Sequence, residues 1–263
     1  MTIEDIQSKK KQGCKITMLT AYDYPLASLI DQSGVDIILV GDSVANVVLG
    51  LDSTREVGMN EMIHHARAVR RAVKNALLVG DMPFEALQKN PALAARDAQR
   101  FVDEAGCQAV KVEWFDRCLE VTREIIKAGI PVIGHVGLTP QTAEQLGGLK
   151  VQGKDDPSAK RILENARALE QAGCFSLVLE CIPGSLAKII TGSLGIPTIG
   201  IGAGVDCDGQ VLVTHDLLGL FERYQPKFVK QYASLNNLIR EAIRQFSQEV
   251  KEGKFPDNKH SYI

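Results

Sequence analysis

Apolar positions in this chain fall into short unbroken runs, separated by longer stretches of helical period. Residues 35–43 read Val-Asp-Ile-Ile-Leu-Val-Gly-Asp-Ser, an apolar run closed by a glycine, a carboxylate and a hydroxyl. A run without alternation suits a strand buried on both faces, as in a parallel sheet. The layout recurs at 77–81, 110–113 and 176–180, each time ending in an acid. Reading every such run predicts eight strands, at 16–21, 36–41, 76–80, 109–113, 131–136, 176–180, 197–201 and 210–214.

The intervening segments read as helices. Met62, Ala66, Val69 and Val73 share one helical face, as do Ala94, Ala98, Phe101 and Ala105. Pro25 fits the first turn of a helix running to about Ser33. Gly34, Gly106, Gly129, Gly173 and Gly195 each precede a strand and read as left-handed helix caps, a role Asn75 can also fill. Residues 1–14 are polar and predict a short helix outside the main fold, with Lys9, Lys10 and Lys11 solvated. A final amphipathic helix (Leu235, Ile239, Ala242, Phe246, Val250) is expected on the barrel exterior, with part of its face available for an oligomer contact.

Alternating β and α elements imply a parallel sheet. Eight strands in 263 residues favour an α/β fold of the (β/α)8 TIM-type barrel, one domain over 1–263 with an extra N-terminal segment and a C-terminal helix. An open doubly wound sheet is the alternative. The long connections 46–56 and 139–156 are placed to cover an active site.

Composition adds little but exclusions. Apolar content of 45% builds a full core, and a net charge of −2 with no basic stripe gives no reason to expect nucleic acid or an anionic membrane. No export signal is read, and no apolar run reaches the roughly 18 residues of a membrane span. Six cysteines without a Cys-x-x-Cys pair read as reduced thiols of a cytoplasmic protein. Cys181, behind Glu180, is the one thiol placed near chemistry.

Barrel strands deliver their C-terminal ends to one mouth. That mouth would receive Tyr22, Asp42, Ser43, Asp81, Lys111, Glu113, His135, Glu180 and the glycines 200, 202 and 204. Several carboxylates in one small space repel each other unless a cation or proton intervenes. Oxygen ligands without clustered histidine or cysteine point to magnesium or manganese. Asp42, Asp81 and Glu113, on neighbouring strands, are assigned to the metal, directly or through water.

A metal with open positions can chelate a 2-oxo acid and stabilise the enolate formed from it. Lys111 adds positive charge, or forms a Schiff base that a metal-bound ketone would make redundant. Glu180, across the mouth, is left as proton carrier, with burial expected to raise its pKa. His135 reads equally as a ligand-orienting or a structural residue. The run 200–204, Gly-Ile-Gly-Ala-Gly, reads as close backbone approach or a tight strand exit; it is not a Gly-x-Gly-x-x-Gly motif.

The motifs then go further than a fold class. Thr20-Ala21-Tyr22-Asp23, Val40-Gly41-Asp42-Ser43, Asp81-Met82-Pro83-Phe84 and Val110-Lys111-Val112-Glu113 occur in order. Gly134 to Gln141, Lys150 to Gly153, Leu179 to Pro183 and Ile199 to Gly204 follow. Together they resemble the ketopantoate hydroxymethyltransferase family from about residue 15 to the end.

The resemblance implies transfer of a hydroxymethyl group from 5,10-methylenetetrahydrofolate to 3-methyl-2-oxobutanoate, giving 2-dehydropantoate and tetrahydrofolate in pantothenate synthesis. It implies a Mg2+ site at Asp42, Asp81 and Glu113. Oxo-acid contacts would come from Asp42, Ser43, Asp81 and Lys111, and Glu180 would accept the proton. It also implies a large homo-oligomer, commonly a decamer. Family members usually carry glycines after the metal-site glutamate, where this chain has Trp114-Phe115. The readings weighed against this one are a folate-independent magnesium–enolate lyase or carboligase, and a barrel that binds without turnover.

Overall fold

A computed structural model describes residues 1–143 and 147–262. Eight parallel strands close into a barrel in sequence order, and β1 returns to β8. They are β1 (Ile16–Thr20), β2 (Ile37–Val40), β3 (Leu77–Asp81), β4 (Ala109–Glu113), β5 (Val132–Gly137), β6 (Ser176–Glu180), β7 (Thr198–Ile201) and β8 (Gly209–Leu212). Closure, with Ile16 opposite Gly209 and Leu19 opposite Leu212, excludes the open doubly wound sheet. Expected strand positions hold to within two residues.

The helices are α1 (Ile3–Gln12), α2 (Tyr24–Gln32), α3 (Met59–Arg70), α4 (Pro91–Asp103), α5 (Cys118–Lys127), α6 (Asp156–Gln171), α7 (Gly184–Ser193) and α8 (Leu235–Lys251), with shorter helical turns between. Pro25 lies in the first turn of α2, where Asp23 caps the N-terminus by accepting from Leu26 N–H at 2.9 Å. Both predicted apolar faces are buried, Met62 to Val73 and Ala94 to Ala105. No helix separates β7 from β8; the glycine run turns there, with Gly202 and Gly204 at positive φ. The connection 46–56 folds partly into a 3-10 turn at Thr54–Glu56, and part of 139–156 lies outside the described residues.

Strand side chains alternate between two cores. Inside the barrel, Ile16, Met18, Ile37, Leu39, Leu77, Val79, Ala109, Ile133, Val178, Ile199 and Val211 form one apolar cluster. The opposite faces of the strands meet the helices in a second, larger cluster. On β3 the outward position is Gly80, where a Cβ would stand 2.3 Å from the Phe101 ring, so glycine lets α4 approach the sheet.

Three local expectations fail. Gly34, Gly106, Gly129 and Gly173 are left-handed caps, but Gly195 is not: α7 stops at Ser193, Leu194 is extended, and Gly195 N–H donates to Glu170 Oε1 at 2.6 Å. Asn75 also avoids the left-handed region; its N–H and that of Ala76 donate to the buried Asp31 carboxylate at 3.0 and 2.8 Å. Finally, α1 does not lie outside the fold. Ile6 is fully buried against the barrel interior, Lys9 pairs with Asp36 at 2.7 Å, and Lys10 pairs with Asp208 at 2.8 Å.

Contacts divide the chain into two compact units, Met1–Val213 and Thr214–Ile263. The first holds the whole barrel. In the second, Asn236 Nδ2 donates to Glu222 Oε1 at 2.6 Å, and Arg240 pairs with the same carboxylate. Along α8, Ile239, Phe246 and Val250 are 45%, 56% and 47% exposed. No helix among the described residues is long and apolar enough to cross a membrane.

Candidate active site

The alternation that packs the barrel also builds the site. Leu77 and Val79 point inward, and two residues on so does Asp81; Ala109 is followed by Lys111 and Glu113, Ile133 by His135, and Val178 by Glu180. The inward rows of four neighbouring strands thus change from apolar to ionisable at one level. Asp42 and Ser43 join them just past β2, and the Tyr22 phenol and Ser43 hydroxyl are hydrogen-bonded at 2.7 Å.

These residues form a connected set. Lys111 Nζ lies 2.9 Å from Asp81 Oδ1, 3.4 Å from Glu113 Oε1 and 3.3 Å from His135 Nδ1. The imidazole spans two acids, with Nδ1 3.3 Å from Glu113 Oε1 and Nε2 3.3 Å from Glu180 Oε2. The second of these lacks hydrogen-bond alignment, leaving Nε2 without a directed partner. Asp42 N–H donates to Asp81 Oδ2 at 3.0 Å.

Gln141 completes the network from the loop after β5. Its backbone N–H donates to Glu113 Oε2 at 3.1 Å, and Nε2 donates to Asp42 Oδ2 at 2.9 Å and to the Met82 carbonyl at 3.1 Å. Asp81, Lys111, Glu113, His135 and Gln141 are all at most 5% exposed, whereas the Glu180 side chain is 16% exposed. The base candidate stands at the accessible edge of the set, less buried than expected.

Electrostatics follow from burial and crowding. Burial first, then the charges of Asp81 and Glu113, push Asp42 well above the ordinary carboxylate range, against Lys111 and Gln141. Burial also raises Asp81, with Lys111 opposing. Burial acts to raise Glu113 too, yet Lys111 and His135 outweigh it and hold this acid down at about 2. For Lys111, burial acts to deprotonate, but Asp81, Glu113 and Asp42 outweigh it and keep the ammonium charged. Burial and Lys111 likewise act to lower His135, while Glu113 and Glu180 push it up to about 9.

The sign for His135 is that of a group raised on folding. Its contribution to stability is complete below the unfolded value near 6.5 and is lost as pH rises through about 9. In the metal-free protein, NMR of the His135 ring is expected to show a titration midpoint near 9. A midpoint at or below 6.5 would remove the imidazolium from this account.

The chain turns sharply after Glu180. Cys181 has φ 47, the one positive value at a non-glycine among the described residues; its N–H donates to the Ile201 carbonyl at 2.9 Å and its carbonyl accepts from Gln152 N–H at 2.8 Å. Burial, then the Glu180 charge, push its thiol up to about 12, which suits a turn residue better than a nucleophile. Gly137, with φ 100, lies so close that a Cβ would stand 2.2 Å from the Glu180 carbonyl oxygen.

Every candidate acid, with Ser43, Lys111 and His135, is therefore at the same end of the barrel. Among the described residues, however, no three His, Cys, Asp or Glu side chains stand ready as a metal cage. Lys111 and Gln141 instead occupy oxygens of Asp81, Glu113 and Asp42. The donor set still fits a hard cation: acidic oxygens outnumber cationic groups, and burial with mutual repulsion raises Asp42 and Asp81. Gln141 had no role in the sequence reading; its only signal was a position after Thr139-Pro140 in a shared motif.

Known proteins extend this picture. A solved phosphonopyruvate hydrolase, in complex with oxalate and Mg2+, superposes with a TM-score of 0.63 at 13% identity, covering 99% of this chain and 93% of that one. A 2,3-dimethylmalate lyase of the PEP mutase/isocitrate lyase superfamily gives 0.62 at 14%, covering 100% and 93%. At such identities the likeness shows the barrel fold alone.

Sequence relatives are nearer. The 3-methyl-2-oxobutanoate hydroxymethyltransferase of Syntrophus aciditrophicus is 55% identical over 263 residues, covering 100% of this chain and 97% of the relative. That of Carboxydothermus hydrogenoformans is 53% identical over 262 residues, covering 100% and 95%. The model of the ketopantoate hydroxymethyltransferase family matches residues 1–258. With an unbroken match from the first helix through the barrel and into α8, the chain belongs to the ketopantoate hydroxymethyltransferase family.

Proposed function

We propose that this chain is a 3-methyl-2-oxobutanoate hydroxymethyltransferase of pantothenate biosynthesis, with Mg2+ as cofactor and 5,10-methylenetetrahydrofolate as one-carbon donor. The observation that carries this reading is the connected set at the mouth. A proton acceptor, Glu180, stands at the edge of a buried group of acids held by one lysine, one histidine and one glutamine.

Asp42, Asp81 and Glu113 would hold magnesium, with Asp42 and Asp81 joined by Ser43 and Lys111 in contacting the oxo acid. When bound, the ion supplies Lewis-acid polarisation of the 2-oxo group. Lys111 brings a permanent positive charge to the side of the site where the enolate oxygen gains charge. Glu180 removes the single proton at C3. Water adds to the methylene carbon of the donor, whose two carbon–nitrogen bonds break as both nitrogens take protons. The C3 nucleophile attacks the aldehyde-level carbon released, its oxygen taking back the proton from Glu180. Water supplies the hydroxyl oxygen, so the products are 2-dehydropantoate and tetrahydrofolate. His135 keeps its Nε2 edge toward the Glu180 carboxylate, steadying the base as its charge changes. Cys181 and Gly137 set the backbone on either side of it.

The same reading makes the chain a cytoplasmic homo-oligomer, with a decamer as the expected form. Its cysteines stay reduced, consistent with six free thiols.

The test separates proton removal from transfer. With magnesium and no folate, the wild-type protein is expected to exchange C3 deuterium of 3-methyl-2-oxobutanoate; with methylenetetrahydrofolate it should form 2-dehydropantoate. No exchange would overturn the enolate reading. Exchange followed by a different product would favour a folate-independent lyase or carboligase.

A further inference from the structure

Beside the catalytic mouth, between the ends of β4 and β5 and helix α6, lies a separate cavity of about 310 Å³. Trp114, Phe115 and Ile162 give it apolar walls; Gln152, Arg161 and Asn165 give it polar ones. Its size is at the lower end of what small-molecule sites use, enough for a ring system and too little for a long extended ligand.

The cavity and the mouth share their boundary. Trp114 directly follows Glu113, and its N–H donates to the His135 carbonyl at 2.9 Å. Thr139 and Thr142, both lining the cavity, bracket Gln141, and their hydroxyls bond each other at 2.6 Å. Gln152 is tied through its N–H to the Cys181 carbonyl at 2.8 Å, one residue from Glu180. Four residues of the catalytic set, Glu113, His135, Gln141 and Glu180, therefore have a chain neighbour, or a partner one residue away, in the cavity wall.

Trp114 is held in place. With the Asn165 amide turned so that its oxygen accepts from Trp114 Nε1 at 3.2 Å, its nitrogen donates to the Arg161 carbonyl at 3.2 Å. A pinned indole and a neighbouring phenyl ring form a rigid surface for stacking a flat ring. Arg161, exposed at the rim, offers a guanidinium to carboxylates outside.

We propose that this cavity takes the ring system of the one-carbon carrier, with Trp114 and Phe115 as aromatic walls and Arg161 facing its carboxylate-bearing tail. The inference rests on the reading of the chain as a folate-dependent transferase. The chemistry fixes the orientation: the transferable carbon is bonded to the carrier's ring-proximal nitrogens, so the ring end must adjoin the mouth and the acidic tail must point away. Aromatic walls toward the site and a cation at the rim match that polarity. Trp114 is then a specificity-determining residue for the carrier and has no part in proton removal.

The experiment compares the wild type with Trp114→Ala and Trp114→Phe. Tetrahydrofolate is titrated calorimetrically into each protein, and KM is measured for both substrates. Trp114→Ala is expected to raise the Kd for tetrahydrofolate and the KM for methylenetetrahydrofolate about tenfold or more. Its KM for the oxo acid and its carrier-free C3 exchange should move less than about twofold, and Trp114→Phe should recover most of the lost affinity. Trp114 is also the only tryptophan in the chain, so bound tetrahydrofolate should shield its emission from acrylamide quenching. Unchanged Kd and KM in Trp114→Ala would overturn the proposal, as would equal losses for both substrates. Absence of C3 exchange in the wild type would instead overturn the reading of function on which the proposal rests.

Discussion

Glu180→Gln is expected to lower carrier-free C3 exchange and overall turnover by about 10²–10⁴-fold, the usual range for a positioned general base. Glutamine keeps the length and planarity of the side chain, and its amide oxygen can face His135 Nε2 as the carboxylate does at 3.3 Å. What it loses is the ability to accept a proton. The melting temperature should therefore stay within a few degrees of wild type while exchange collapses. Full exchange in this variant would move the base elsewhere, with Asp42 next to be tested because burial and its acid neighbours already hold it well above the usual carboxylate range.

Lys111→Met should damage both stability and activity. The ammonium is 5% exposed and lies within 3.4 Å of two carboxylates, so its removal leaves Asp81 and Glu113 buried without their main counter-charge. Losing one partner of a buried ion pair typically costs about 3–5 kcal/mol. Denaturant melts should show a loss of that order in metal-free protein at pH 7, and a smaller one in saturating Mg2+, because a cation that binds only the folded state offsets repulsion among the acids. Turnover should fall by about 10²–10³-fold even with the metal present, since the charge next to the developing oxyanion is gone. A fully active, fully stable Lys111→Met would contradict the connected network on which the mechanism stands.

Much of this architecture could be read from local pattern. Apolar runs ending in acids place Asp81, Glu113 and Glu180 on strand ends, because barrel strands are buried on both faces and their last inward residue meets the mouth. Lys111 follows from Glu113 by the two-residue repeat of a strand. Less legible were contacts made between segments far apart in sequence. Gln141 reaches Asp42, Met82 and Glu113 from a loop whose path no periodicity encodes. His135 looked ambiguous because its role depends on two acids from other strands, Glu113 and Glu180.

The misreadings have the same origin. Lys9, Lys10 and Lys11 look like a solvated face in isolation, yet the first two reach Asp36 and Asp208 at the opposite end of the barrel from the site. Gly195 resembled the other caps in spacing, but Glu170 satisfies its N–H and no left-handed turn is needed. For α8 the amphipathic helix itself was correctly read.

The docking of α1 has a consequence for how the chain assembles. Lys9 is tied to Asp36, just before β2, and Lys10 to Asp208, just before β8, and these two strands flank β1. Strands β2 to β7 can be laid side by side in the order of synthesis, each finding a near neighbour, but β8 must travel back to the first strand. The Lys10–Asp208 contact joins residues 198 apart and exists only once that return is made. Closing so long a loop costs only about 0.6 kcal/mol more than closing one half as long. A single buried isoleucine and two ion pairs are thus of the right size to bias an open, curled sheet toward a sealed ring. The N-terminal helix works as a clasp on the last seam to form, and its loss would reopen the barrel there first.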